Sequence, residues 1–95
     1  MATTVLITGA SQGIGKATAL LFARKGYDLV LAARQPEPLQ AVAEEIQNLG
    51  RQAIAIPTDV RDPDQVKSLA SKALDHYGKI NVLVNNAGIY ISGPV

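Results

Sequence analysis

Val5-Leu6-Ile7-Thr8-Gly9-Ala10-Ser11-Gln12-Gly13-Ile14-Gly15 runs from a short apolar strand through a glycine turn into a helix, and the rest of the chain can be placed relative to it. The strand brings the backbone to Gly9, and positions without side chains let a ligand approach the main chain closely. The following helix directs unpaired N–H groups and the positive end of its dipole at an anion. The stretch is therefore read as a phosphate cradle, and its ligand as one that carries a pyrophosphate. Glycine turns also join strands to helices where no ligand binds, so the turn by itself leaves a purely structural role open.

Downstream, short β-branched runs alternate with longer helical patterns, with no internal repeat, low-complexity tract or linker. That alternation predicts a parallel α/β architecture. The first strand is expected at 5–8 and the first helix at 14–25, burying Ile14, Ala17, Leu20, Leu21 and Ala23 or the stem of Arg24 before Gly26 stops it. Asp28-Leu29-Val30-Leu31-Ala32-Ala33 is apolar almost without break, as expected of a strand covered on both faces. Pro36 and Pro38 open a second helix in the turn where proline is tolerated, and Leu39, Val42, Ala43, Ile46 and Leu49 form its inner stripe up to Gly50. A third strand is expected at 52–56. Asp62-Pro63-Asp64-Gln65 reads as the N-cap and first turn of a third helix that closes at Gly78, and a fourth strand follows at 80–84.

Right-handed crossovers make these a parallel sheet, and a topological switch beside the first strand gives the order 3-2-1-4 with three helices: a partial Rossmann-type, doubly wound fold. Ligands bind at such a switch. The turns at 9–15 and 85–88 then flank one crevice at the carboxyl ends of adjacent central strands.

The composition narrows the partners. A chain of 95 residues, 47% of them apolar, is one small globular unit or part of one. It has no cysteine, which excludes disulfides and thiolate sites and agrees with a cytoplasmic location. No apolar run approaches the roughly 18 residues a membrane helix needs, so no membrane partner is expected. Nine basic residues against eight acidic ones, a net charge of +1 without a basic face, argue against a nucleic-acid partner. No metal site is expected. The run Ala10-Ser11-Gln12-Gly13-Ile14-Gly15-Lys16-Ala17 approximates a nucleotide-triphosphate loop but has Ala10 for the first glycine and Ala17 where a magnesium-binding hydroxyl is needed. Lys16 is read as a solvent-facing helix residue, and His76 and Tyr77 as a helix terminus.

Three motifs in order, Thr8-Gly9-x-x-x-Gly13-Ile14-Gly15, Asp59-Val60 and Asn85-Asn86-Ala87-Gly88, resemble the nucleotide-site motifs of the short-chain dehydrogenase/reductase family, and the resemblance covers essentially the whole chain. It implies that Gly9, Gly13 and Gly15 shape the turn against the pyrophosphate, with Ser11, Gln12 and Ile14 lining it. It also implies that Asp59 and Val60 contact the adenine, and that Asn86 with Ala87 and Gly88 stands by the ribose. Asp59 could instead cap a helix, but Asp62 before Pro63 fills that role better and leaves Asp59 free for a ligand. Asn85 and Asn86 could be plain turn residues.

The end of the second strand bears on the cofactor. An acid there would hold the ribose 2′-OH of NAD; the chain has Ala33-Arg34, which offers a guanidinium to a 2′-phosphate and favours NADP over NAD. Glu37 nearby, and Gln12 where many NADP-preferring relatives carry a basic residue, count the other way. None of Tyr27, Tyr77 and Tyr90 has a lysine four residues on, and the family places its serine and Tyr-x-x-x-Lys group beyond Val95. No catalytic residue is therefore assigned, and 1–95 is expected to be the N-terminal, cofactor-binding part of a single NAD(P)-binding domain. The whole protein is then expected to be a homo-oligomeric NADP-dependent oxidoreductase acting on a carbonyl or alcohol. A non-catalytic dinucleotide-binding remnant is the alternative.

Overall fold

A computed structural model of the chain describes residues 3–86. The elements follow as β1 (Thr4–Thr8), α1 (Gly13–Arg24), β2 (Asp28–Ala33), α2 (Pro36–Asn48), β3 (Ala53–Pro57), α3 (Pro63–Tyr77) and β4 (Val82–Asn85). All four strands are parallel and lie in the order β3-β2-β1-β4, the partial Rossmann topology expected from the alternating pattern. Strand ends differ from expectation by a residue or two, and Pro57 ends β3, an edge strand of this sheet, where a missing N–H is tolerated.

The unbroken apolar runs are explained by burial on both faces. Val5, Ile7, Leu29, Leu31 and Ala53 point to the side covered by α1 and α2, where Ala19, Ala23, Leu39, Val42, Ala43 and Ile46 meet them. Leu6, Val30, Ala32 and Ile56 point to the other side, against Leu69 and Ala73 of α3. The register alternates along each strand, so neither face can be polar.

Two of the expected inner stripes need correction. In α1 the buried positions are Gly15, Ala19 and Ala23, whereas Ile14 is 77% and Leu21 51% exposed and Ala17 also faces outward. Leu20 is half-buried against the core. The reason is space: the start of α1 lies so close to the turn after β1 that only small side chains fit between helix and sheet, and they recur every fourth residue. Leu49 is not part of the inner face of α2 either; it is the C-cap and 49% exposed.

Asparagine clamps join β4 to β1 at both ends. Thr4 N–H donates to Asn81 Oδ1 at 2.8 Å while Asn81 N–H returns a bond to the Thr4 carbonyl at 2.9 Å. At the carboxyl end the Thr8 hydroxyl donates to Asn85 Oδ1 at 2.8 Å and accepts from Asn86 N–H at 3.1 Å. The second clamp fixes the Asn85-Asn86 turn against the glycine turn.

Candidate functional site

The carboxyl ends of all four strands surround a cleft of about 400 Å³. Gly9, Ser11 and Gln12 line it from the turn after β1, Arg34 from the end of β2, Asp59 and Val60 from beyond β3, and Asn86 from beyond β4. Seven of the residues singled out in the sequence are thus brought to one place. Gly13, Ile14 and Gly15 stand beside it in the first turn of α1, and Ala87 and Gly88 lie outside the described residues.

The turn is built by different constraints at each glycine. Gly9 and Gly13 take φ of 63° and 59°, the left-handed region that disfavours side chains. At Gly13 an added Cβ would meet nothing within 4 Å, so the space above it is open to a ligand. At Gly15 an added Cβ would overlap the Gly9 carbonyl oxygen. Gly15 therefore closes the helix onto the turn from inside. Ala10 N–H donates to the Ala32 carbonyl at 3.2 Å and Thr58 N–H to the Ala33 carbonyl at 2.7 Å, tying the loops to the end of β2.

The N-termini of α3 and α1 contrast; that of α2 also lacks a side-chain cap but carries Glu37 in its first turn. At α3, Asp62 accepts from Asp64 N–H at 3.0 Å and Asp64 adds negative charge to the first turn. At α1, Gln12 makes no capping bond and the first turn holds no acid, so its N–H groups and positive dipole end remain uncompensated beside the cleft. Asn86 Nδ2 is a second unsatisfied donor, buried and without a hydrogen-bond partner. Unsatisfied donors beside the glycine turn, open space over Gly13 and the exposed Arg34 suit a ligand with several phosphate oxygens.

Asp59 caps no helix, since Asp62 is the N-cap of α3, but its carboxylate has a partner that the sequence did not indicate. Its carboxylate is held by Arg61, Nε donating to Oδ1 and Nη2 to Oδ2, both at 3.0 Å, and by Arg61 N–H donating to Oδ1 at 3.0 Å. The hydrogen bond from the Arg61 side chain, followed by that from its backbone, lowers the Asp59 pKa to about 2. Arg61, Thr58 and Gln35 also line the cleft and were not singled out in the sequence, as does Ala33, noted there only as the neutral residue before Arg34. The available signal was position, directly after β2 and β3, and for Arg61 the two-residue spacing from Asp59 that turn side chains can span.

Tyr77 belongs to the opposite end of the sheet. Its hydroxyl donates to the Leu29 carbonyl at 3.1 Å, near the Asp28–Arg51 ion pair at 2.9 Å, and burial pushes its pKa up to about 12. It is a packing residue there. Lys16 is half-exposed and pairs with Glu45 of α2 at 3.6 Å.

A model of the short chain dehydrogenase family matches residues 3–95. The chain belongs to the short-chain dehydrogenase family. An uncharacterized oxidoreductase of Listeria monocytogenes is 46% identical over 91 residues, 96% of this chain and 37% of that protein. Among solved structures, a metagenomic short-chain oxidoreductase in complex with NADP superposes with a TM-score of 0.87 at 39% identity, over 92% of this chain and 39% of the other. A short-chain dehydrogenase/reductase of Burkholderia phymatum in complex with NAD gives 0.84 at 35% identity, over 86% and 29%. The short-chain dehydrogenase chain thus spans well under half the length of these relatives. Among the described residues no helix is long and apolar enough to cross a membrane, and no cluster of metal-ligating side chains occurs.

Proposed function

We propose that this chain is the cofactor-binding part of an NADP-dependent oxidoreductase that exchanges hydride with a carbonyl or alcohol. The observation that carries the reading is the uncapped N-terminus of α1 beside a cleft that also presents Arg34 and the unsatisfied Asn86 amide. Its similarity to short-chain dehydrogenases bound to NADP and to NAD supports a nicotinamide dinucleotide as the ligand.

The backbone of Gly9 to Gly13 and the α1 N-terminus would hold the pyrophosphate. Asp59 and Val60 would receive the adenine and Asn86 the adjoining ribose. Arg34 is exposed, lines the cleft and forms no ion pair with a described residue, which leaves its planar fork available for a 2′-phosphate. The bound nicotinamide would supply or accept the hydride, and the chain's own residues would hold the dinucleotide by its pyrophosphate, ribose and adenine. Residues 1–95 form, in this reading, the N-terminal part of one NAD(P)-binding domain of a cytoplasmic homo-oligomer.

The test is equilibrium binding of NADPH and NADH to the full-length protein, followed by dihydronicotinamide fluorescence. NADPH is expected to bind more tightly, and Arg34→Ala to weaken NADPH selectively. A charge-assisted contact of about 1.5–3 kcal/mol corresponds to roughly 10- to 100-fold in affinity. Equal affinities for the two cofactors, unchanged in the variant, would overturn the NADP assignment. No binding of either would overturn the dinucleotide reading.

A further inference from the structure

β3 is the outermost strand on one side of the sheet, and among the described residues nothing pairs with its outer edge. The ladder to β2 fixes which backbone groups face that edge. Leu29 N–H donates to the Gln52 carbonyl at 3.0 Å where the ladder starts, and Thr58 N–H to the Ala33 carbonyl at 2.7 Å where it ends. In a parallel ladder the N–H and C=O of one residue point to the same side, and successive residues alternate. Gln52, Ile54, Ile56 and Thr58 therefore face β2, whereas Ala53, Ala55 and Pro57 face outward.

Both ends of that outer edge are closed to a further strand. The Ala53 carbonyl already accepts from Gln47 Nε2 at 2.9 Å, and Pro57 has no N–H to give. Ala55, between them, keeps an outward N–H and an outward carbonyl. Gln47 is firmly placed. It is the penultimate residue of α2, its own carbonyl accepts from Gly50 N–H at 3.0 Å, and Gly50 with φ of 86° turns the chain so that β3 starts beside that last turn. A strand laid along β3 would have to displace the Gln47 amide at one end and would find no donor at the other.

We propose that the Gln47 side chain, together with Pro57, is an edge guard that keeps β3 from pairing with a second copy of this chain. The amide occupies the acceptor that a neighbouring strand would use at Ala53, and the proline interrupts the ladder before it can lengthen. The guard lies at the sheet edge and does not depend on which cofactor the cleft holds.

The experiment uses the full-length protein with Gln47→Met, which keeps the length of the side chain and loses its donor, and Pro57→Thr, which restores a backbone N–H in a residue suited to strands, singly and together. Association beyond the natural oligomeric state is followed by analytical ultracentrifugation against concentration, below the onset of melting for every variant, and exchange of the Ala55 amide is followed by NMR. The double variant is expected to associate at a concentration at least about tenfold lower than the natural protein, the scale of one or two net hydrogen bonds, with each single variant shifted by less. The Ala55 amide should exchange freely in the natural protein and become protected in the associated variant. Gln47 is exposed on its helix, so Gln47→Met should melt close to the natural protein and carries the same test should the double variant not fold. Unchanged concentration dependence in the folded variants would overturn the guard. Association that leaves the Ala55 amide unprotected would also overturn it, because the contact would then lie elsewhere, as lost stability alone would produce. An Ala55 amide already protected in the natural protein would show that the edge is paired and would overturn the proposal at its premise.

Discussion

Gly13 and Gly15 stand two positions apart and are required for different reasons, which substitution can separate. A side chain at Gly13 enters open space but must adopt φ near 59°, at a cost of about 1–2 kcal/mol for an L-residue. It would also occupy the room over the turn. Gly13→Val is therefore expected to remove NADPH binding while the full-length protein still melts cooperatively. Gly15→Ala places a methyl on the Gly9 carbonyl, which something must move to admit. Its effect should appear first as lost stability, about 1–3 kcal/mol or more by chemical denaturation. Normal NADPH affinity in a well-folded Gly13→Val protein would remove the glycine turn as the phosphate cradle. Titration of Asp59 gives another residue-scale prediction. Its pKa of about 2 in the folded chain lies below the ordinary 3.8, so the Arg61 contact stabilises the fold above pH 3.8 and is lost as pH falls toward 2. The stability difference between the natural protein and Arg61→Gln should be present at about pH 5 and mostly lost by about pH 2, as read from urea midpoints. A difference that persists at the lower pH would mean that the carboxylate is not its source.

At the scale of elements, β1 and β2 could be read from the sequence because burial on both faces demands continuous apolar residues, and the α3 start because Asp62 and Pro63 each have one good use there. The inner face of α1 could not. Hydrophobicity favours Ile14 and Leu21 for the core, but the approach of Gly15 to Gly9 sets a gap that only Gly15, Ala19 and Ala23 fill. The Asp59–Arg61 clamp was hidden for a related reason: an i, i+2 contact depends on the turn conformation, which composition does not encode. The gap at α1 is testable. Ala19 is fully buried, so Ala19→Leu forces a larger side chain between helix and sheet even though it raises apolarity and helix propensity. A loss of about 1–3 kcal/mol is expected in thermal or denaturant unfolding. A neutral or stabilising result would mean that the helix can stand off from the sheet, and the small-residue row would lose its explanation.

For the molecule as a whole, the described sheet leaves apolar surface on three elements. Val82 and Leu83 of β4 are exposed, the latter by 65%, together with Ile14 and Leu21 of α1 and Val66 and Leu74 of α3. β4 pairs only with β1 among the described residues, so its other edge carries backbone donors and acceptors that can recruit a neighbouring chain. A strand of Val82-Leu83-Val84 with no proline or like-charge guard is the kind of edge that aggregates when uncovered. Residues 1–95 expressed by themselves are therefore expected to elute from size exclusion as aggregates, or to melt without a cooperative transition. Even where they fold, the described part of the cleft provides for phosphate, ribose and base but no acid at the nicotinamide, so NADPH oxidation with ketones or aldehydes should not exceed background. A monodisperse, cooperatively melting monomer would refute the structural half of this prediction. Turnover above background would refute the catalytic half, and with it the assignment of this chain to the cofactor-binding part alone.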